Sequence, residues 1–244
     1  MAYGVLLLHA FPLDASMWEP QLVAVRALGP AVAPDLPGFG GAASAGDVLT
    51  MDAAAAAAAV ALDDAGIDRA LVCGLSMGGY VALAMWRRHR ERVGGLILAN
   101  TKSGADDEAG RERRRALAER LRSEGNGFLV ESPPPLLSGH APDPLWQRVR
   151  EIIRAQPAGS IAAASLGMAE RPDSTPDLAG IDVPTLVVTS SDDTLIPPEA
   201  TTPMADQIDG ADLTVIDGAG HLSNLEAPET FTGLLVERAR LLAS

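Results

Sequence analysis

Three features of this 244-residue chain have the residue types and settings needed to move an acyl group: a serine between glycines, a glycine-flanked histidine and a pair of aspartates. Ser76 lies in Gly74-Leu75-Ser76-Met77-Gly78-Gly79. A serine hydroxyl is a poor nucleophile until a base takes its proton, and it must also stand clear of the backbone. A sharp strand-to-helix turn, a nucleophile elbow, gives that clearance. Gly74 and Gly78 suit such a turn because a Cβ at either position would meet the neighbouring strand or helix. His221, in Gly218-Ala219-Gly220-His221, is the candidate base, placed where a mobile, exposed imidazole reaches the turn. The candidate orienting carboxylates are Asp192 and Asp193, one of which accepts the proton on the imidazole nitrogen facing away from Ser76. Adjacent residues at a strand end, they are not distinguished by position alone.

The other histidines read differently. His89 lies among Arg87, Arg88 and Arg90 as a solvated helix terminus, and His140 belongs to a surface loop. His9 ends the first apolar run, either as a loop organiser or as a pocket residue.

Side chains of this kind must be carried by elements that end at one edge of the fold. Residues 3–9 are a continuous apolar run of the sort buried on both faces of a parallel sheet. A helix is predicted over 17–28 with Asp14 or Ser16 as N-cap, then a short strand over 31–34 and the loop Asp35-Leu36-Pro37-Gly38-Phe39-Gly40. An alanine-rich helix over 53–64, capped by Thr50 or Asp52 and closed by Gly66, precedes a strand over 70–74, a helix over 78–89 and a strand over 93–99. Further on come a strand over 183–190, a helix over 199–208, a strand over 212–216 and a helix over 228–242 with Pro228 in its first turn. Strands alternate with helices across short connections. The pattern predicts an α/β fold with a mostly parallel central sheet, helices on both faces and right-handed crossovers.

That alternation breaks over residues 101–180. Helical patterns at 106–123, 143–155 and 160–169 follow one another there without strands, separated by breakers such as Ser132-Pro133-Pro134-Pro135. This stretch reads as a helical cap inserted over the carboxyl edge of the sheet, leaving 1–100 and 181–244 as the core domain. Substrate selectivity is expected to reside in the cap. Its basic cluster, Arg111, Arg113, Arg114, Arg115, Arg120 and Arg122, is interleaved with Glu112, Glu119 and Glu124 at helix-neighbour spacings. Leu117 and Leu121 mark the buried stripe, so the arginines are expected on a solvated, ion-paired face.

A formal net charge of −13 repels polyanions and argues against nucleic acid or an anionic membrane as partner. Cys73 is the single cysteine, so no intrachain disulfide framework exists and a small core residue is expected. The N-terminal residues lack a basic stretch, and the apolar run 5–8 is too short for a signal sequence or a membrane span. A cytoplasmic protein is therefore expected. No cluster of His, Cys and carboxylate has metal-ligand spacing and no phosphate-binding glycine loop is present, so neither metal nor cofactor is expected.

Taken together, Gly74-Leu75-Ser76-Met77-Gly78-Gly79, Asp35-Leu36-Pro37-Gly38-Phe39-Gly40, Asp193-Thr194-Leu195-Ile196-Pro197 and Gly220-His221 resemble the α/β-hydrolase superfamily, in its order of motifs and over nearly the whole chain outside the cap. The resemblance implies the α/β-hydrolase fold and a Ser76-Asp193-His221 triad. In that family the acid commonly stands three residues after a strand-ending glycine and four before a proline. Ser190 holds the glycine position here, which favours Asp193 with Asp192 as runner-up. The resemblance also implies an oxyanion hole built from the backbone N–H groups of Phe11 and Met77. His9-Ala10-Phe11-Pro12 is similar to the family's His-Gly-x-Pro loop, with Ala10 in the glycine position.

Within the superfamily, the residues from His221 to Glu229 and Ser76-Met77-Gly78-Gly79 resemble 3-oxoadipate enol-lactonases and related small serine esterases. The implied reaction is hydrolysis of a small-molecule ester or lactone through an acyl-enzyme on Ser76. A cofactor-free perhydrolase or haloperoxidase-like enzyme, or a carbon–carbon bond hydrolase, would use the same triad. A non-catalytic small-molecule binding protein is the alternative of another class, and a pure binder has no need of Ser76, Asp193 and His221 together.

Overall fold

A computed structural model describes residues 2–44 and 46–243. Six strands, β1 (Tyr3–Leu8), β2 (Ala31–Val32), β3 (Arg69–Leu75), β4 (Val93–Ala99), β5 (Thr185–Ser190) and β6 (Asp212–Ile216), form one sheet. Their order is β2-β1-β3-β4-β5-β6, and each neighbouring pair is parallel. The four inner strands are apolar runs buried almost throughout. Full burial of a leucine such as Leu6, Leu7 or Leu8 is worth about 1.5–3 kcal/mol, so these strands fix the frame. The edge strand β6 leaves Leu213 and Val215 exposed.

Helices cover the sheet on both faces. Before β4 lie α1 (Glu19–Arg26), α2 (Met51–Asp64) and α3 (Met77–Arg88). Between β4 and β5 come α4 (Glu108–Glu124), α5 (Gly127–Glu131), α6 (Asp143–Ala155), α7 (Ala158–Glu170) and α8 (Thr175–Leu178). The remaining helices are α9 (Pro198–Thr201), α10 (Pro203–Gln207), α11 (Ser223–Glu226) and α12 (Pro228–Ala243). In one layer α1 packs on α12, in the other α2 packs on α3, and both α3 and α12 contact β1, β3 and β4. Among the described residues no helix is long and apolar enough to cross a membrane.

Local chemistry sets the ends of these elements. The Thr50 hydroxyl accepts the Ala53 N–H and caps α2, whereas Asp52 pairs with Arg87 and Arg88. Asp14 accepts the Ser16 N–H and opens a 3-10 turn, Ala15–Trp18, before α1. The single helix expected over 199–208 is two, α9 and α10, because Pro203 has no N–H to continue the first. The strand expected from residue 183 begins at Thr185, just after Pro184. The short helices α5, α8 and α11 had no sequence signal long enough to show a period.

The sheet order carries the functional logic. The chain steps from β1 outward to β2 and then back across β1 to β3, so successive connections diverge between β1 and β3. In open α/β sheets ligands sit beyond the carboxyl ends of the strands at such a switch point. Phe11 and Ser76 follow those two ends directly.

Candidate active site

Ser76 sits between β3 and α3 with φ 56° and ψ −115°, a left-handed backbone that a non-glycine residue seldom adopts. Several hydrogen bonds hold it there. Its N–H donates to the Ala99 carbonyl at 2.9 Å, and its own carbonyl accepts from the Thr101 hydroxyl at 2.8 Å and the Gly79 N–H at 2.9 Å. The glycines are required by close approach. A Cβ on Gly74 would stand 2.1 Å from the Gly78 carbonyl oxygen, and one on Gly78 would stand 2.1 Å from that of Leu8. The elbow therefore brings α3 against the end of β1 as well as β3.

Asp193 is buried beyond the end of β5, and each of its oxygens is engaged. Oδ1 accepts the N–H groups of Leu195 and Ile196 at 3.0 and 2.9 Å. Oδ2 accepts from His221 Nδ1 at 2.8 Å and from Asn100 Nδ2 at 2.9 Å. Asp192, which sequence position left open, points elsewhere: it is half-exposed and accepts from the Ser191 hydroxyl.

His221 follows β6 and, against the expectation of a mobile, exposed ring, is fully buried. The chain near it is pinned on both sides. Glu226 accepts the N–H groups of Gly220 and Ser138, and the Leu222 N–H donates to the Leu136 carbonyl at 2.8 Å. A Cβ on Gly220 would lie 2.3 Å from the Ser138 nitrogen, so this glycine lets the loop press against residues 136–138. With Nδ1 committed to Asp193, the other ring nitrogen, Nε2, is buried and has no hydrogen-bond partner among the described residues. An orphaned buried imidazole nitrogen is available to a proton that a ligand or a rotated hydroxyl brings.

Ser76 and Phe11 line the same cavity of about 330 Å³, with an apolar lining that includes Leu117, Leu136, Met168 and Ile196. The Met77 N–H opens α3, where no helical carbonyl accepts it. His9 settles as a loop organiser. It is buried, its Nδ1 donates to the Ala10 carbonyl and its Nε2 accepts the Leu36 N–H at 3.0 Å, with Phe39 edge-on at 5.2 Å. Burial lowers its pKa, in keeping with the neutral tautomer these bonds require. His9 thus ties the loop bearing Phe11 to the loop at residues 35–40. Burial likewise pushes the Cys73 thiol up and leaves it an inert core residue.

Sequence reasoning missed Asn100. This buried residue directly follows β4, at φ 44°. Besides donating to Asp193, its Nδ2 donates to the Ser190 hydroxyl, and its Oδ1 accepts from Ser223 Oγ at 2.6 Å. The only signal was a polar residue at the carboxyl end of a buried strand, where asparagine tolerates the left-handed conformation.

The arginines of α4 divide between two settings. Arg111, Arg115 and Arg120 pair with Glu108, Glu112 and Glu124 on the outer face, as the spacing implied. Arg113 and Arg114 line the cavity instead.

Comparison with known proteins identifies the family of the fold. The pattern of the Alpha/beta hydrolase family matches residues 5–233. A thermophilic esterase from Thermogutta terrifontis, solved with malate bound, superposes with a TM-score of 0.95 at 39% identity, covering 100% of this chain and 91% of that one. The 3-oxoadipate enol-lactonase 1 of Acinetobacter baylyi is 29% identical over 237 residues, 94% of this chain and 86% of its own. A pimeloyl-[acyl-carrier protein] methyl ester esterase of Neisseria meningitidis serogroup B is 30% identical over 241 residues, 94% of this chain and 90% of its own.

Proposed function

The chain belongs to the alpha/beta hydrolase family, and from that premise we propose that it is a serine hydrolase that opens a carboxylic ester or lactone through an acyl-enzyme on Ser76. The observation that carries this reading is the pairing of His221 Nδ1 with Asp193 while Nε2 is left buried and unpartnered, in a fold that presents Ser76 on a strained turn at the cavity wall. In the proposed mechanism Nε2 takes the Ser76 proton as Oγ attacks the carbonyl carbon. Asp193 fixes the tautomer and stabilises the imidazolium that forms. The Phe11 and Met77 N–H groups donate to the developing oxyanion, and each such donor is typically worth about 2.7–4 kcal/mol at the transition state. The leaving oxygen takes the proton back from Nε2. Water then repeats the sequence on the acyl-enzyme and releases the acid.

Residues 101–180 act in this reading as a cap. Leu117, Pro134, Leu136 and Met168 from that stretch line the cavity that holds Ser76, which supports placing substrate choice there. The named activities of the relatives, an esterase, an enol-lactonase and a methyl ester esterase, support an ester or lactone carbonyl as the target.

An organophosphonate probe tests the reading. It is expected to add once, at Ser76. Ser76→Ala is expected to abolish labelling and to lower turnover of short-chain aryl esters by about 10⁴-fold or more. Labelling that survives the substitution overturns the assignment.

A further inference from the structure

We propose that the cavity at Ser76 is built for an ester or lactone whose acyl part carries a carboxylate, with Arg113 as the residue that recognises it. This rests on the serine-hydrolase reading and adds to it the charge of the substrate.

The cavity lining is charged against the sign of the molecule. The chain carries a formal net charge of −13, yet the lining presents Lys102, Arg113 and Arg114 against a single carboxylate, Asp106. That carboxylate is already fully engaged. Lys102 pairs with it at 3.2 Å, Arg114 hydrogen-bonds it closely, and Arg171, buried behind the wall, pairs with it at 3.0 Å. Asp173, also in the field of Arg171, lies outside the lining and accepts the Thr175 N–H. The wall therefore keeps an excess of positive charge after its internal pairs are counted.

Arg113 differs from its neighbours on α4. Arg111, Arg114, Arg115 and Arg120 are bound to carboxylates and Arg122 to the Asp47 carbonyl, whereas Arg113 is exposed and makes no ion pair or hydrogen bond among the described residues. A planar guanidinium presents a fork that suits a carboxylate, and charge-assisted bonds of this kind are the strong ones. Apolar contact comes from Phe11, Leu117, Leu136, Met168 and Ile196, and the lining holds no second carboxylate to answer the excess charge. A substrate with a carbonyl at Ser76, an apolar middle and an anionic end matches this lining. A wholly apolar acyl chain leaves the excess charge unanswered.

The test compares methyl half-esters of dicarboxylic acids of four to eight carbons with the corresponding methyl ester monoamides, which match them in shape and lack the charge. Methanol release is followed with the intact protein at low ionic strength. At the best chain length the half-ester is expected to exceed its monoamide in kcat/KM by about tenfold or more, mainly through KM, and the ratio is expected to shrink as salt is added. Arg113→Gln is expected to bring the ratio close to one, and Arg113→Lys to restore part of it. Equal turnover of the two series, or a preference indifferent to both Arg113 variants, overturns the proposal. So does turnover of neutral aryl esters by a protein that rejects every half-ester. If no ester or lactone is turned over at all, it is the serine-hydrolase reading that fails, so the two failures are distinct.

Discussion

Ser76 holds a backbone conformation that costs of the order of 1–3 kcal/mol, and such strain persists only where surrounding contacts over-determine it. Here they do so from three strands: Ala99 ends β4 and Thr101 lies just beyond it, Gly78 abuts β1, and the serine itself follows β3. The acid is fixed with the same redundancy, which separates two adjacent aspartates that sequence position left equal. Asp193→Asn replaces the carboxylate facing His221 Nδ1 with a neutral amide that neither fixes the tautomer nor stabilises the imidazolium and is expected to lower kcat by about 10³–10⁴-fold, while Asp192→Asn, altering a half-exposed contact to Ser191, stays within about twofold of the parent. Steady-state turnover of one aryl ester by the two variants decides it, and a collapse in Asp192→Asn contradicts the geometry. Asn100 offers a finer test. It touches Asp193 and Ser223 but lines no part of the cavity, so it positions the acid without meeting substrate. Losing a buried bond to a charged group costs about 1.5–3 kcal/mol, so Asn100→Ala is expected to reduce kcat by roughly ten- to a hundredfold. KM is expected to hold and phosphonate labelling to remain at one per chain; a change confined to KM contradicts a positioning role.

At the scale of elements, every candidate residue lies within five positions of a strand's carboxyl end: Phe11 after β1, Ser76 after β3, Asn100 after β4, Asp193 after β5 and His221 after β6. The parallel sheet thus gathers at one edge residues far apart in the chain. Gly78→Ala probes that convergence, since its new methyl would stand 2.1 Å from the Leu8 carbonyl oxygen and neither backbone segment can yield freely. Overpacking of this kind typically costs about 1–3 kcal/mol, and both a lower melting temperature and a loss of turnover are expected. An unchanged melting temperature contradicts the contact. The same logic explains what was legible beforehand. Buried strands announce themselves as apolar runs, and the elbow and the histidine loop announce themselves by glycines that only close approach requires. What was hidden depends on partners distant in sequence. The network of Asn100 joins β4, β5 and the loop after β6, the burial of His221 depends on residues 136–138, and the turning of Arg113 toward the cavity depends on how α4 packs on α7. No local pattern encodes these.

For the molecule as a whole, one carboxylate ties together the two ends of the segment between β4 and β5, and one of its partners touches α3. Asp106 precedes α4, Arg114 lies on that helix, Arg171 follows α7, and the Arg171 guanidinium stacks 4.1 Å from the Tyr80 ring centroid on α3. Burial alone would raise the pKa of Asp106, but hydrogen bonds from Arg171 and Arg114 outweigh it and hold the carboxyl well below the usual carboxylate range. Removing one partner of a buried pair leaves the other uncompensated, at about 3–5 kcal/mol. Asp106→Asn is therefore expected to lower the melting temperature at pH 7 by about 6–20 °C for a chain of this size. The sign of the pH dependence follows from the depressed pKa. The folded state binds this proton less readily than the unfolded chain, so the contribution is fully present above the unfolded value, near 3.9, and is lost as pH falls below it toward the folded value. The gap in melting temperature between parent and variant is accordingly expected to be constant from pH 8 to about 5 and to close below about pH 4. Calorimetric scans across that range check it: a gap that persists undiminished to pH 3, or that is absent at pH 7, means that the charge of Asp106 does not hold the two ends of this segment together.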